Sequence, residues 1–262
     1  MKNNTALITG ASKGIGRAIA VSLVNSGYAV IGTSRNPDDI ENKINGIEYV
    51  QLDLLDENSI DECIQKVGNV DILINNAGQS QIGAAEEIPI EKVKELFQLN
   101  LFGIIKLTQG FLPGMIQNGT GFIINIGSLA GTFSVPFQSS YVASKAALSG
   151  FTWSLRNEVM RYGIKVVLLD PHDINTTIQP EIFSPANSRY KNAMSKMMAA
   201  RAKSMANANP PAVVAKKVLK ILQMKNPGPF YSVGGMAPLL IFLKRLLPGK
   251  TVEKLLRKSY DL

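Results

Sequence analysis

Short apolar runs alternate with helical-period segments from the first residues of the chain. Thr5–Thr9 is the first run, and Ile15–Ser26 carries helical spacing that ends at Gly27. Further strands are predicted at Tyr28–Ser34, Glu48–Leu52 and Val70–Asn75. A long helix spans Glu91–Gln117, with Pro113 as the point where it can break. Gly121–Gly127 is the fifth strand, Tyr141–Tyr162 the next helix and Lys165–Asp170 the sixth strand. These runs are β-branched and apolar without clean polar alternation, as expected of strands covered on both faces. The succession predicts an α/β fold: a single doubly wound, Rossmann-type parallel sheet with helices on both faces. Its ligand belongs at the carboxyl ends of the strands.

The pattern loosens after Pro171. Residues 172–209 are polar and rich in Met, Ala, Asn and Ser, with a helix around Tyr190–Met205. Pro210–Gln223 is another helix and Pro229–Val233 a last strand. No repeat or linker divides the chain, so residues 1–262 read as one domain.

Composition adds little until charge is mapped. A length of 262 residues, 45% hydrophobic and 18% charged, suits one soluble domain with a sizeable core. The lone cysteine, Cys63, excludes an internal disulfide, fits a reducing compartment and reads as a half-buried helix residue. The first apolar run is too short for a signal-peptide core, and no run of about 18 apolar residues follows. A cytoplasmic protein, free or peripherally bound to membrane, is the expectation. Residues 1–188 hold 13 Lys+Arg against 18 Asp+Glu, whereas 189–262 hold 15 against 2. All of the net +8 therefore comes from the last quarter.

Candidate chemistry begins in the turn Thr9-Gly10-Ala11-Ser12-Lys13-Gly14-Ile15-Gly16, between the first strand and its helix. Glycines allow close backbone approach, and the helix N-terminus offers amides to a pyrophosphate. The bland alternative is a merely structural turn. Nineteen residues past Gly16, the second strand ends in Arg35, where an NAD site usually carries an acid for the ribose hydroxyl. A guanidinium there can pair with a 2′-phosphate, which points to NADP(H); the alternative is a solvated loop arginine. Tyr141 and Lys145 lie one helical turn apart, and Ser128 ends the fifth strand thirteen residues upstream. A cation beside a phenol favours the phenolate, so Lys145 is expected to lower the Tyr141 pKa. Such a phenol can exchange a proton with a carbonyl oxygen that the Ser128 hydroxyl holds. Taken singly, a buried aromatic, a solvated helix lysine and a turn serine explain the three better than function does; together with the glycine turn they do not.

In this order the motifs resemble the short-chain dehydrogenase/reductase family over roughly residues 5 to 180. They are the Gly10/Gly14/Gly16 turn, Asp53, Asn75-Asn76-Ala77-Gly78, Asn100, Ser128, Tyr141-x-x-x-Lys145, Pro171 and Thr176. The resemblance implies Tyr141 as general acid/base, Ser128 as the group orienting the substrate oxygen, and Lys145 on the nicotinamide ribose. Asn100 is implied to hold a water linking Lys145 to solvent. Gly10, Ser12, Lys13, Gly14, Ile15 and Gly16 are implied to cradle the cofactor. Asp53 and Leu54 are implied to flank its adenine, Asn76, Ala77 and Gly78 to line the adenosine side, and Pro171 and Thr176 to border the nicotinamide. The family also implies a homodimer or homotetramer, and no metal ligand set is identified. One departure stands out: the family commonly has Pro-Gly where this chain reads Pro171-His172-Asp173. Losing glycine there removes backbone freedom, and His172 can reach substrate or remain a loop side chain.

By the same resemblance, residues 172–209 are a lid over the substrate. Ile174, Ile178, Ile182, Phe183, Tyr190, Met194, Met197 and Met198 either line a lipophilic pocket or pack the lid. Within the basic extension 236–262, the apolar run 236–247 is twelve residues, too short to span a bilayer. The segment 236–258 can lie on an anionic membrane or pack on the domain or a second subunit. The leading reading is an NADP(H)-dependent oxidoreductase interconverting an alcohol and a steroid, retinoid or acyl-chain carbonyl. Alternatives are a reductase of small polar carbonyl metabolites and a non-catalytic NADP(H)-binding sensor. Nucleic-acid binding is disfavoured, because the basic tail lacks stacking aromatics.

Overall fold

The computed structural model describes residues 4–176 and 179–260. Its first half runs β1 (Thr5–Ile8), α1 (Gly14–Val24), β2 (Ala29–Ser34), β3 (Ile47–Gln51), α2 (Glu57–Val67), β4 (Ile72–Asn75), β5 (Gln81–Gly83), α3 (Ile90–Phe97) and α4 (Gly103–Gln117). The second half runs β6 (Gly121–Ile126), α5 (Ser139–Val159), β7 (Ile164–Pro171), β8 (Glu181–Phe183), α6 (Lys191–Met205), α7 (Ala212–Leu222), β9 (Phe230–Val233), α8 (Ala237–Leu246) and α9 (Gly249–Ser259).

Seven strands form one parallel sheet in the order β3-β2-β1-β4-β6-β7-β9. Alternate residues of each strand serve opposite faces. Ala6, Ile8, Ile72, Ile74, Ile124, Val167 and Leu169 pack with Ile19 and Leu23 of α1 and Val214, Val218 and Ile221 of α7. Their neighbours Leu7, Leu73, Ile123 and Val166 pack on the other face with Ile60, Leu107, Phe111, Leu148 and Leu155 of α2, α4 and α5. Two apolar layers on one sheet account for the missing polar alternation. The chain reverses its direction of travel across the sheet between β1 and β4, which opens a crevice at their carboxyl ends.

Most predicted strands shift by a residue or two at their ends. Two larger differences are informative. α2 escaped the periodicity reading, although Ile60, Cys63, Ile64 and Val67 repeat at helical spacing and the Asp56 carboxylate accepts from the Asn58 amide to cap it. Cys63 is fully rather than half buried, and burial pushes its thiol up to about 11, so it is unreactive. The long helix does not break at Pro113, which lies inside α4. The irregularity is a wide π turn at Gln98–Phe102, which buries Asn100 and brings Gly103 against Leu54. A Cβ on Gly103 would stand 2.7 Å from the Leu54 carbonyl oxygen. By length and mean hydropathy Ile90–Gln117 is long and apolar enough to cross a membrane, although Glu, Lys, Gln and Asn interrupt it and it holds no run of 18 apolar residues. It buries Ile104, Leu107, Phe111 and Met115 in the sheet-facing core, as a core helix does.

The segment after β7 is anchored at its base. Asn175 N–H donates to the Asn209 carbonyl at 2.8 Å, and Asn209 N–H donates to the Asp173 carbonyl at 2.8 Å. Between these ends, β8 pairs in parallel with β5, through Gln81 with Glu181 and Gly83 with Phe183.

Candidate active site

The glycine turn hangs from two neighbouring strands. Thr9 Oγ1 accepts from the amides of Asn76 and Ala77, both at 2.9 Å, and Asn76 Nδ2 donates to the Thr9 carbonyl at 2.8 Å. Ala11 N–H donates to the Thr33 carbonyl at 2.9 Å, which holds the turn against the end of β2. Gly10 and Gly14 take φ of +67° and +57°. A Cβ on Gly16 would meet the Gly10 carbonyl oxygen at 2.3 Å, so only glycine lets α1 start this close to the turn. Lys13 stands at the N-cap with no side-chain hydrogen bond to the helix, and the first turn of α1 holds no acid. The opening amides of α1 are thus uncapped by side chains and face the crevice, a cradle that fits a pyrophosphate.

Ser128 follows β6 in extended conformation, and its Oγ accepts from the Ala130 amide at 3.2 Å. Tyr141 lies in the first turn of α5, with its phenol within electrostatic reach of the Ser128 side chain. Lys145, one turn further, is buried and donates from Nζ to the Ile126 carbonyl at 3.0 Å. Lys13, Ile15, Asn76, Gly78, Ser128, Tyr141, Lys145, Pro171 and Thr176 all line one cavity of about 700 Å³. Gly10, Ser12, Gly14, Gly16 and Ala77 are not in its lining. Of these, Gly10 approaches Ala77, and Gly14 approaches Thr176. Asn100 sits behind Gly78. Its Oδ1 accepts from the Gln79 amide, and its Nδ2 donates to the Gln79 carbonyl and Ser144 Oγ. Both amide protons are committed, so only its carbonyl oxygens remain to accept from a water.

Arg35, Asp53 and Leu54 lie outside this cavity, at the ends of β2 and β3. Arg35 is exposed beside the latched turn, and the Asp53 carboxylate accepts from the Leu55 amide at 3.0 Å. The Leu54 side chain is buried in the core against α4. His172 lines the cavity without a left-handed backbone. That conformation falls on Asp173 instead, at φ +43°, so the missing family glycine is accommodated one residue later.

The lid residues divide by contact. Ile174 and Met197 line the cavity, whereas Met194 and Met198 join Met197 and Ile82 in a small core beneath α6. Tyr190 packs edge-on against Phe137 with centroids 6.1 Å apart, Phe183 pairs in β8, and Ile182 is exposed. Ile178 lies outside the described residues. From the C-terminal helices Leu243, Leu247, Val252, Leu255 and Leu256 line the cavity, with Leu243 and Leu255 still exposed at its mouth, while Leu239, Phe242 and Leu246 are exposed outside it.

Electrostatics correct one expectation. The Tyr141 pKa is raised rather than lowered: burial disfavours the phenolate and outweighs the pull of the Ser128 side chain and the charge of Arg201. Lys145 is itself pushed down to about 8 by burial, and its ammonium is turned onto Ile126 O. A second group escaped the sequence reading. Asp170, at the end of β7, is fully buried, and burial raises its carboxyl to about 7, against the opposing pull of Lys145 and the Ser128 amide. Neither oxygen has a side-chain or backbone partner at full hydrogen-bond geometry. The signal was an acid closing an otherwise apolar strand, Val166-Val167-Leu168-Leu169-Asp170.

Comparison with known proteins bears on the fold and the family. The profile of the family described as short chain dehydrogenase matches residues 4–187. A 3-ketodihydrosphingosine reductase of Bacteroides thetaiotaomicron is 33% identical over 99% of both chains. A solved short-chain dehydrogenase from Streptomyces avermitilis superposes with a TM-score of 0.84 at 31% identity, over 100% of this chain and 98% of that one. The structure of ElxO with NADP bound superposes at 0.73 with 26% identity, over 88% and 97%.

The raised Asp170 pKa sets a pH dependence of stability. The folded state holds the proton up to about 7, whereas an unfolded aspartate releases it near pH 4. Native protein therefore binds more protons than unfolded across that window, and this group's contribution to stability falls as pH rises through it. Asp170→Asn should gain stability relative to wild type between pH 5 and pH 8 in urea titrations. Parallel stability curves for the two proteins would contradict it.

Proposed function

The chain belongs to the short-chain dehydrogenase family, and from that premise we propose that it is an NADP(H)-dependent oxidoreductase interconverting a lipophilic carbonyl compound and its alcohol. The observation that carries this reading is the composition of one cavity. Ser128, Tyr141 and Lys145 meet there beside the glycine turn, and much of the remaining wall is apolar, including Met197 and Ala200 of α6, Leu243 of α8, and Val252 and Leu256 of α9. Bound in the crevice, the nicotinamide supplies the hydride. The side chains do the rest. Tyr141 gives its proton to the carbonyl oxygen, Ser128 Oγ holds that oxygen, and Lys145 holds the ribose. Asn100 fixes the Gly78–Gln79 backbone beside Lys145 and offers a carbonyl oxygen to a relay water. Residues 172–209 act as the lid. The raised Tyr141 pKa suits a proton donor in the reduction direction.

The case for NADP(H) rests on Arg35, exposed at the end of β2, with no acid at that strand end to repel a 2′-phosphate. The lipophilic side is supported by the apolar wall and by the relative named 3-ketodihydrosphingosine reductase. We place the enzyme in the cytoplasm, resting on membrane through α8. There Phe242 and Leu246 are 59% and 64% exposed, with the cations of α9 close by in sequence.

Tyr141→Phe should lose at least about a hundredfold in kcat while still binding NADPH, the usual scale of a general-acid contribution. Near-normal turnover would remove Tyr141 from the chemistry. Arg35→Ala should cut the NADPH-over-NADH ratio of kcat/KM by about tenfold or more, the scale of a charge-assisted pair. A wild-type enzyme that prefers NADH overturns the cofactor assignment. In flotation, wild-type protein should rise with phosphatidylglycerol vesicles and the Phe242→Asp/Leu246→Asp protein should not. Wild-type protein staying in the bottom fraction excludes the membrane contact.

A further inference from the structure

Arg201 lies on α6, half-buried, in the wall of the cavity that holds Ser128 and Tyr141. Much of that wall is apolar, including Met197 and Ala200 on its own helix and Leu243 and Leu247 from the C-terminal segment, with His172, Asp173, Ser204 and Lys244 among its polar members. The other cations lining the cavity are engaged elsewhere. Lys145 is bonded to the Ile126 carbonyl, and Lys244 is bonded to the Thr132 carbonyl with its ammonium 5.2 Å from the Phe133 ring. Lys13 belongs to the glycine turn. Among the described residues Asp173 is the one carboxylate in the lining, and it accepts from Ser204 Oγ beside His172. No carboxylate among the described residues pairs with Arg201. Its charge nevertheless reaches the reacting group, since it draws down the phenols of both Tyr141 and Tyr260.

A guanidinium carries five N–H donors and cannot shed its proton, so an apolar wall is a poor place for one unless an anion completes it. Water satisfies it in the open cavity, but an apolar substrate that fills the cavity removes that water. We propose that Arg201 anchors a carboxylate carried by the substrate, so that the lipophilic carbonyl compound is a keto acid, its acid group on Arg201 and its carbonyl at Ser128 and Tyr141. The inference rests on the oxidoreductase reading above and narrows it. It also disfavours amino ketones, whose ammonium the guanidinium repels.

The test compares 5-oxodecanoate with its methyl ester as substrates with NADPH, in wild type, Arg201→Gln and Arg201→Lys. Wild type should favour the acid by about ten- to a hundredfold in kcat/KM, the range of one charge-assisted bidentate pair. Arg201→Gln should bring that ratio near one, and Arg201→Lys should keep part of it. A wild-type ratio near one overturns the anchor. So does an equal loss on acid and ester in Arg201→Gln, which assigns the charge to the Tyr141 phenol, or a tenfold weaker NADPH Kd, which assigns it to the cofactor. Decanoate, which has no ketone, separates the anchor from the reaction. It should raise the Tm of wild type and not of Arg201→Gln even if neither ketone turns over; no rise in wild type sinks the anchor alone. Failure of both ketones with the decanoate shift intact counts against the oxidoreductase reading instead.

Discussion

The site depends on how α5 is fastened to the end of β6, because one carries Tyr141 and Lys145 and the other leads into Ser128. The fastening is polar and buried. Asn75 and Asn125 face each other on paired strands, with Asn75 Nδ2 donating to Asn125 Oδ1 at 2.8 Å. Asn125 Nδ2 then donates to Thr152 Oγ1 of α5 at 2.9 Å, and Lys145 Nζ adds a bond to the last β6 carbonyl. Apolar contacts alone tolerate a helix sliding along a sheet. Directional bonds in a dry interior do not, because any shift leaves a donor unpaired at a cost of about 1–3 kcal/mol. The phenol–hydroxyl pair inherits its alignment from this ladder.

The same dryness governs the charges. Tyr141, Lys145 and Asp170 are all displaced toward their neutral forms, and each displacement is led by burial. A positive neighbour cannot be credited with activating the phenol when its own ammonium is disfavoured and turned toward a carbonyl. Burial leaves Lys145 at about 8 and Asp170 at about 7, both close to neutral pH, beside a phenol held in its protonated form.

Much of this was legible in the chain. The strands were readable because both sheet faces are covered, and the glycine turn and the Tyr141–Lys145 spacing are local features that survive folding unchanged. What stayed hidden depended on tertiary placement. The π turn that buries Asn100 has no periodic signal. Asp170 could be read only as the end of a strand until Lys145 was beside it. Among the methionines of the lid, sequence could not decide that Met197 reaches the cavity while Met194 packs beneath it. Arg201 was one cation among fifteen in a basic tail, and only the fold separates it from those on the surface.

Asn209, donating to the Asp173 carbonyl and accepting from the Asn175 amide, brings both ends of the 172–209 segment to one point. Chain between two fixed, adjacent points can lengthen or shorten with little effect on what lies outside them, since closure entropy grows only logarithmically with length. The sheet therefore tolerates wide variation in this insert, and the part of the cavity wall it forms can change while Ser128, Tyr141 and Lys145 stay where they are.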